Sequence, residues 1–121
     1  MPLIIVGKLS VAAAGSPQRV TDFPAYKAAL AAVQLSSQFL TVQAALFQAW
    51  VGNTGQVYLG GSALDKTTGA NMAAVLAVPT ATSIPSFGAS NHLSPAGIDL
   101  SAIYLDVDTN GEGPLLTVLY T

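Results

Sequence analysis

The sequence predicts an all-β domain, an antiparallel β-sandwich of the jelly-roll kind, and three observations carry that prediction. Ile103, Leu105 and Val107 alternate with Tyr104, Asp106 and Asp108, the period of a strand that keeps one face in a core. Short stretches of this kind are separated by clusters of Gly, Pro and Asn, the residues that turns require. After residue 39 no helical period is sustained, which argues against an α/β architecture.

Taken in order, Leu3 to Leu9 is aliphatic and β-branched and reads as a first strand, stopped by Ala12-Ala13-Ala14-Gly15-Ser16-Pro17. Residues 1–9 form either this buried strand or an N-terminal arm lying on another chain, and the sequence leaves both open. Gln18 to Asp22 alternates around Val20 as a short strand. Pro24 then opens an alanine-rich piece, Pro24 to Leu35, that is either a short helix or an inserted loop, since ten residues of good propensity are marginal without packing. From Phe39 the pattern is β: Leu40, Val42 and Ala44 share one face, with Thr41 and Gln43 on the other. Asn53-Thr54-Gly55 is a turn before the strand Gln56 to Leu59, which Gly60-Gly61-Ser62 ends. Strands are expected within Ala73 to Val78 and near Thr82 to Ile84, followed by a polar loop from Gly88 to Gly97. The strand at 103–108 and a returning strand, Leu115 to Tyr120, are joined by the Gly-rich turn Thr109 to Pro114.

A chain of 121 residues is long enough for one domain with a core of its own. Only ten residues are charged, 51% are hydrophobic, and mean hydropathy is +0.53. Soluble domains usually carry about 25% charged residues, so much of this exterior is expected to be hidden against other protein. The chain has no cysteine, which excludes disulfides, thiolate metal sites and thiol nucleophiles. Three of the four bases (Lys8, Arg19, Lys27) precede residue 60 and five of the six acids follow it, with no basic cluster anywhere. Nucleic-acid binding and polybasic membrane attachment are therefore not expected. The most apolar stretch, Phe39 to Val51, is interrupted by Thr41, Gln43 and Gln48 and is too short to span a bilayer. The start of the chain has no signal-peptide character.

Two spaced motifs carry a resemblance. Gly52-Asn53-Thr54-Gly55-Gln56-Val57-Tyr58-Leu59-Gly60-Gly61-Ser62 and Ile98-Asp99-Leu100-Ser101-Ala102-Ile103-Tyr104-Leu105-Asp106-Val107-Asp108-Thr109-Asn110-Gly111-Glu112-Gly113, closing on Thr117-Val118-Leu119-Tyr120, resemble segments of small structural proteins encoded among tailed-phage head genes. The likeness runs from Phe39 to Tyr120, and the piece Pro24 to Leu35 departs from it. It implies a capsid decoration or cement protein: a homotrimer bound to the major capsid protein on the virion surface, made in the host cytoplasm. The residues themselves do not decide between trimer and dimer. Interface candidates are Leu3, Ile4, Ile5, Val6, Phe47 and Trp50, with Trp50 expected as an exposed aromatic anchor. The alternative is a tail-fibre or surface module in which Trp50 and tyrosines present a platform to a host glycan; packing is favoured for these aromatics.

Candidate chemistry is sparse. Asp106-Val107-Asp108-Thr109-Asn110-Gly111 matches the first half of a calcium-binding loop, but the twelfth position is Thr117 where a bidentate Glu belongs. A looser calcium site from Asp106, Asp108, Asn110 and Glu112 remains as the metal candidate, weighed against a plain turn, which is favoured. Asp106 and Asp108 as paired catalytic carboxylates lack a defined cleft. His92 is the only histidine and no G-x-S-x-G accompanies it, so no catalytic residue and no cofactor is expected.

Overall fold

A computed structural model describes residues 3–35, 41–90 and 97–120, and the expectations for Leu40 and His92 lie outside them. The strands are β1 (Leu3–Lys8), β2 (Gln18–Arg19), β3 (Thr41–Val42), β4 (Ala44–Ala49), β5 (Val57–Asp65), β6 (Ala70–Leu76), β7 (Ser86–Ser90), β8 (Ile98–Asp99), β9 (Tyr104–Val107) and β10 (Pro114–Leu119). One helix, α1 (Pro24–Ala32), joins them, with 3₁₀ turns at Val20–Asp22 and Leu100–Ala102.

Strand pairing is nested. The antiparallel pairs are β1 with β10, β2 with β9, β3 with β8, β4 with β7 and β5 with β6, so the first half of the chain meets the second half in reverse order. Two further pairings, β10 with β4 and β9 with β5, weld this long hairpin into four-stranded sheets of order β1-β10-β4-β7 and β2-β9-β5-β6. That order is the jelly-roll arrangement, in which one folded ribbon supplies both layers of a sandwich. The expected fold class is therefore observed.

The layers meet in one core. From the first sheet it takes Ile4, Val6, Ala45, Phe47, Ala49, Leu116 and Val118, and from the second Val57, Leu59, Leu76, Leu105 and Val107. Each set obeys the period of two along its strand, which is why both sheets can bury one face completely. Helix α1 forms because extended Phe23 precedes Pro24, whose missing N–H and fixed φ cost nothing at the first helical position. Tyr26 and Leu30, four apart, put one helical stripe into the core against β1, and both are fully buried. Burial pushes the Tyr26 hydroxyl pKa up to about 12.

Several local expectations are corrected. The alternation expected through Leu40, Val42 and Ala44 breaks at a bend on Gln43, after which the buried residues are Ala45, Phe47 and Ala49. Residues 82–84 are not a strand; the strand lies at Ser86–Ser90, running into the start of what reads as polar loop, because β4 offers it a pairing edge. β9 and β10 do not pair with each other. Residues 108–113 instead cross from the second sheet to the first, so the apparent hairpin is a connection between layers.

Gly60-Gly61-Ser62 likewise does not stop β5, which runs on to Asp65. Gly60 sits at a register shift against β6, where a Cβ would overlap the Asn71 carbonyl oxygen and crowd Leu64. Glycine is present for that close approach rather than to end a strand. Gly60→Ala is expected to destabilise the fold by about 2 kcal/mol, read as a lowered midpoint in urea, since backbone rather than a flexible side chain must give way.

Candidate functional site

The outer face of the first sheet is the most unusual surface. Three cross-strand rows cover it: Leu3, Leu119 and Ala44; Ile5, Thr117, Leu46 and Gly88; and Lys8, Leu115, Gln48 and Ser86. Ile5 is 74% exposed, Leu3 57% and Leu46 43%. Lys8, at one end, is the only ionisable side chain in these rows. Four strands about 4.8 Å apart, each about six residues long, give a face of roughly 400 Å². Leu3, Ile5, Leu46, Leu115 and Leu119 supply its apolar part, beside Thr117, Gln48, Ser86 and Lys8, and large aliphatic side chains gathered on one open sheet face mark an interaction surface.

This geometry divides the expected interface residues. Leu3 and Ile5 are on the open face, whereas Ile4, Val6 and Phe47 point inward and are core, at 4%, 9% and 0% exposure. The reason is the pleat, which sends neighbouring side chains to opposite faces. Residues 3–8 are a strand of this domain's own sheet, paired with β10 along their length, rather than an arm. Trp50 is half-buried and already partnered: the Lys8 ammonium lies 3.5 Å from its ring centroid, and a Cβ on Gly52 would come within 2.5 Å of the ring. It is therefore not the exposed anchor expected.

The acidic segment 106–112 is a set of clamps and not a converging ligand cage. Asp106 Oδ1 accepts from the Gly15 and Val107 backbone N–H groups, each at 2.8 Å. Asp108 accepts from Gln56 N–H at 3.2 Å and from the Tyr58 hydroxyl at 3.0 Å, and pairs with Lys66 at 3.5 Å. Asn110 Oδ1 accepts from Ala14 N–H at 2.8 Å. Glu112 accepts from Thr54 N–H and hydroxyl, both at 2.9 Å, and from Gly55 N–H at 3.0 Å. The calcium reading fails here because the side chains turn two ways, Asp106 and Asn110 to the backbone of 14–15 and Asp108 and Glu112 to that of 54–56, instead of converging on one centre. Among the described residues no group of three or more His, Asp or Glu could hold a metal ion.

Electrostatics follow from these contacts. Burial pulls the Glu112 pKa up, but the hydrogen bonds from Thr54 and Gly55, with Lys8 nearby, outweigh it and hold the carboxyl below its ordinary value. For Tyr58, burial and then the hydrogen bond to Asp108 both push the hydroxyl up. Arg19 donates from Nε and Nη2 to the Tyr104 hydroxyl at 3.0 and 2.8 Å.

On the opposite sheet a cleft of about 440 Å³ opens between Gly15–Pro17 and residues 62–67 at the end of β5, with Asp65, Lys66 and Asp106 among its lining. Asp106, expected to face outward with Tyr104 and Asp108, is only 1% exposed because these two segments cover it. Nothing local in the sequence marks this cleft; the three segments are brought together by the pairing of both β2 and β5 with β9. No protein-family model, no curated protein and no solved structure matches this chain.

Proposed function

We propose that this chain is a non-enzymatic structural protein that associates through the outer face of its first sheet, as a decoration or cement protein on a tailed-phage head. Its partners are the major capsid protein and further copies of itself, in a homotrimer, and its place is the outer surface of the virion. The observation that supports this reading best is the leucine, isoleucine and alanine face of β1, β10 and β4, with Lys8 its one charge at the edge, left open while the inner face of the same sheet is fully packed. The resemblance of the 52–62 and 98–113 motifs supplies the phage setting.

The mechanism is burial of surface in the assembled state. A face of roughly 400 Å² is about half of what one partner contributes to a stable pairwise interface. Affinity then depends on several such contacts made at once, as in a ring of copies seated on a lattice. Each contact exists only in the assembled shell, so binding shifts the equilibrium toward that shell and opposes its expansion. No glycan platform is retained in this reading, because Trp50 is occupied by Lys8 and Gly52.

The test is a lysine placed on the open face, Ile5→Lys or Leu46→Lys. Both positions point to solvent, so unfolding stability should change by no more than about 0.5 kcal/mol. Association, followed by sedimentation and by occupancy on particles, should weaken by about thirtyfold or more as a desolvated charge is forced into the contact. A wild-type protein that stays monomeric and ignores capsids, or lysine variants that assemble normally, would sink the proposal.

A further inference from the structure

The cleft on the second sheet has a chemistry of its own. Asp106 lies at its inner wall, 1% exposed, and its Oδ1 is committed to the Gly15 and Val107 N–H groups. Its other oxygen takes no hydrogen bond from the described chain, yet no buried side-chain oxygen among the described residues is left unsatisfied. That oxygen is therefore the part of Asp106 that solvent reaches, and the space Asp106 borders is the cleft. A nearly buried carboxylate oxygen in such a place needs a donor, and one carrying positive charge is strongest.

The remaining lining adds one carboxylate and one ammonium, Asp65 and Lys66, so the cleft carries a net negative charge. Asp65 is the second carboxylate, with Oδ1 held by Thr67 N–H at 2.9 Å and Thr68 N–H at 3.3 Å. Lys66 does not neutralise the pair, because its ammonium is turned to the Val107 carbonyl and Asp108. Pro17, Ala63 and Leu64 add apolar wall suited to a methylene stem. A volume of about 440 Å³ suits a small organic group, and far exceeds a bare metal ion, for which the described residues offer no third carboxylate or imidazole.

From this geometry we infer that the cleft binds a primary ammonium or guanidinium group on a short apolar stem. The charge is met by Asp106 and Asp65 and the stem by Pro17, Ala63 and Leu64. Such a group can be borne by a lysine or arginine of a neighbouring chain, or by a free polyamine. Within this chain Lys8, Arg19 and Lys66 are engaged with Trp50, Tyr104 and Asp108, while Lys27, exposed on α1, has no partner among the described residues. The site lies on the sheet opposite the proposed association face, so each can fail without the other.

The experiment is a titration of the folded protein followed by amide NMR, with N-acetyl-lysine amide, the uncharged N-acetyl-norleucine amide, and spermidine as probes. The lysine probe should move the Gly15, Val107 and Thr67 amides saturably and bind about tenfold tighter than the norleucine probe. Asp106→Asn keeps a carbonyl for Gly15 and Val107 but removes the charge, and should weaken the lysine probe by about tenfold. Asp65→Asn, at an exposed position, is the second variant should the first not fold. Spermidine binding well above the lysine probe assigns the site to free polyamines. The reverse order, with Lys27→Gln reducing self-association, assigns it to a second copy. Equal binding of lysine and norleucine probes, absence of saturable shifts, or full binding by Asp106→Asn and Asp65→Asn overturns the inference.

Discussion

Gly113→Ala is expected to lower unfolding stability by about 3 kcal/mol and to shift the urea midpoint accordingly. A Cβ at this position would overlap the Leu9 carbonyl oxygen, which is backbone and cannot rotate away. The approach is close because Leu9 to Val11 continues β1 alongside 111–114: Leu9 N–H donates to Pro114 at 2.8 Å, Val11 N–H to Glu112 at 2.9 Å, and Gly111 N–H to Val11 at 2.8 Å. On the other side Asn53, 5% exposed, spends its side-chain amide on Gly113, donating to its carbonyl at 3.1 Å. Moving Gly113 to make room would break one or the other. A midpoint unchanged from wild type would show that the close approach is not a structural requirement.

Glu112 carries the second large effect. Glu112→Ala should destabilise by about 2 kcal/mol, because two backbone N–H groups and a hydroxyl, from Thr54 and Gly55, lose their acceptor in a partly buried turn. Glu112→Gln keeps one acceptor oxygen and should lose less. The pH dependence has a definite sign. The folded carboxyl lies below its ordinary 4.5, so its stabilisation is complete above that pH and is lost as pH falls through the folded value. Denaturation curves taken across this acid range should therefore be flatter for Glu112→Gln than for wild type. Equal slopes for the two proteins would remove Glu112 as the source.

How much of this was legible beforehand depends on whether the deciding contact is local. The alternation at Leu105 and Val107 marked β9 correctly, and Pro24 with its alanines marked the place of α1, since both signals reside in neighbouring residues. Gly60 is ambiguous in the sequence because a glycine that ends a strand and one that lets two strands close together look the same there. The segment 106–113 is ambiguous for a similar reason. Strand, glycine turn and strand describe a hairpin and an inter-sheet crossing equally well, and only Leu9, Val11 and Asn53, far away in sequence, distinguish them. Oxygen spacing in Asp106, Asp108, Asn110 and Glu112 carries no information on whether the side chains converge or splay. The interface residues, by contrast, could have been sorted in advance: the pleat alone separates Leu3 and Ile5 from Ile4 and Val6.

The nested order of pairing sets a sequence of events during folding. β5 and β6 are joined by a short turn and can zip early, whereas β1 must find β10 across nearly the whole described chain, as Leu3 opposite Leu119 shows. Loop closure over such distances slows a β-rich domain to milliseconds or longer. The surface assigned to assembly contains the last of these pairs. An incomplete chain accordingly offers no continuous outer face on the first sheet, so association through that face, as proposed, would select for molecules whose maturation is finished.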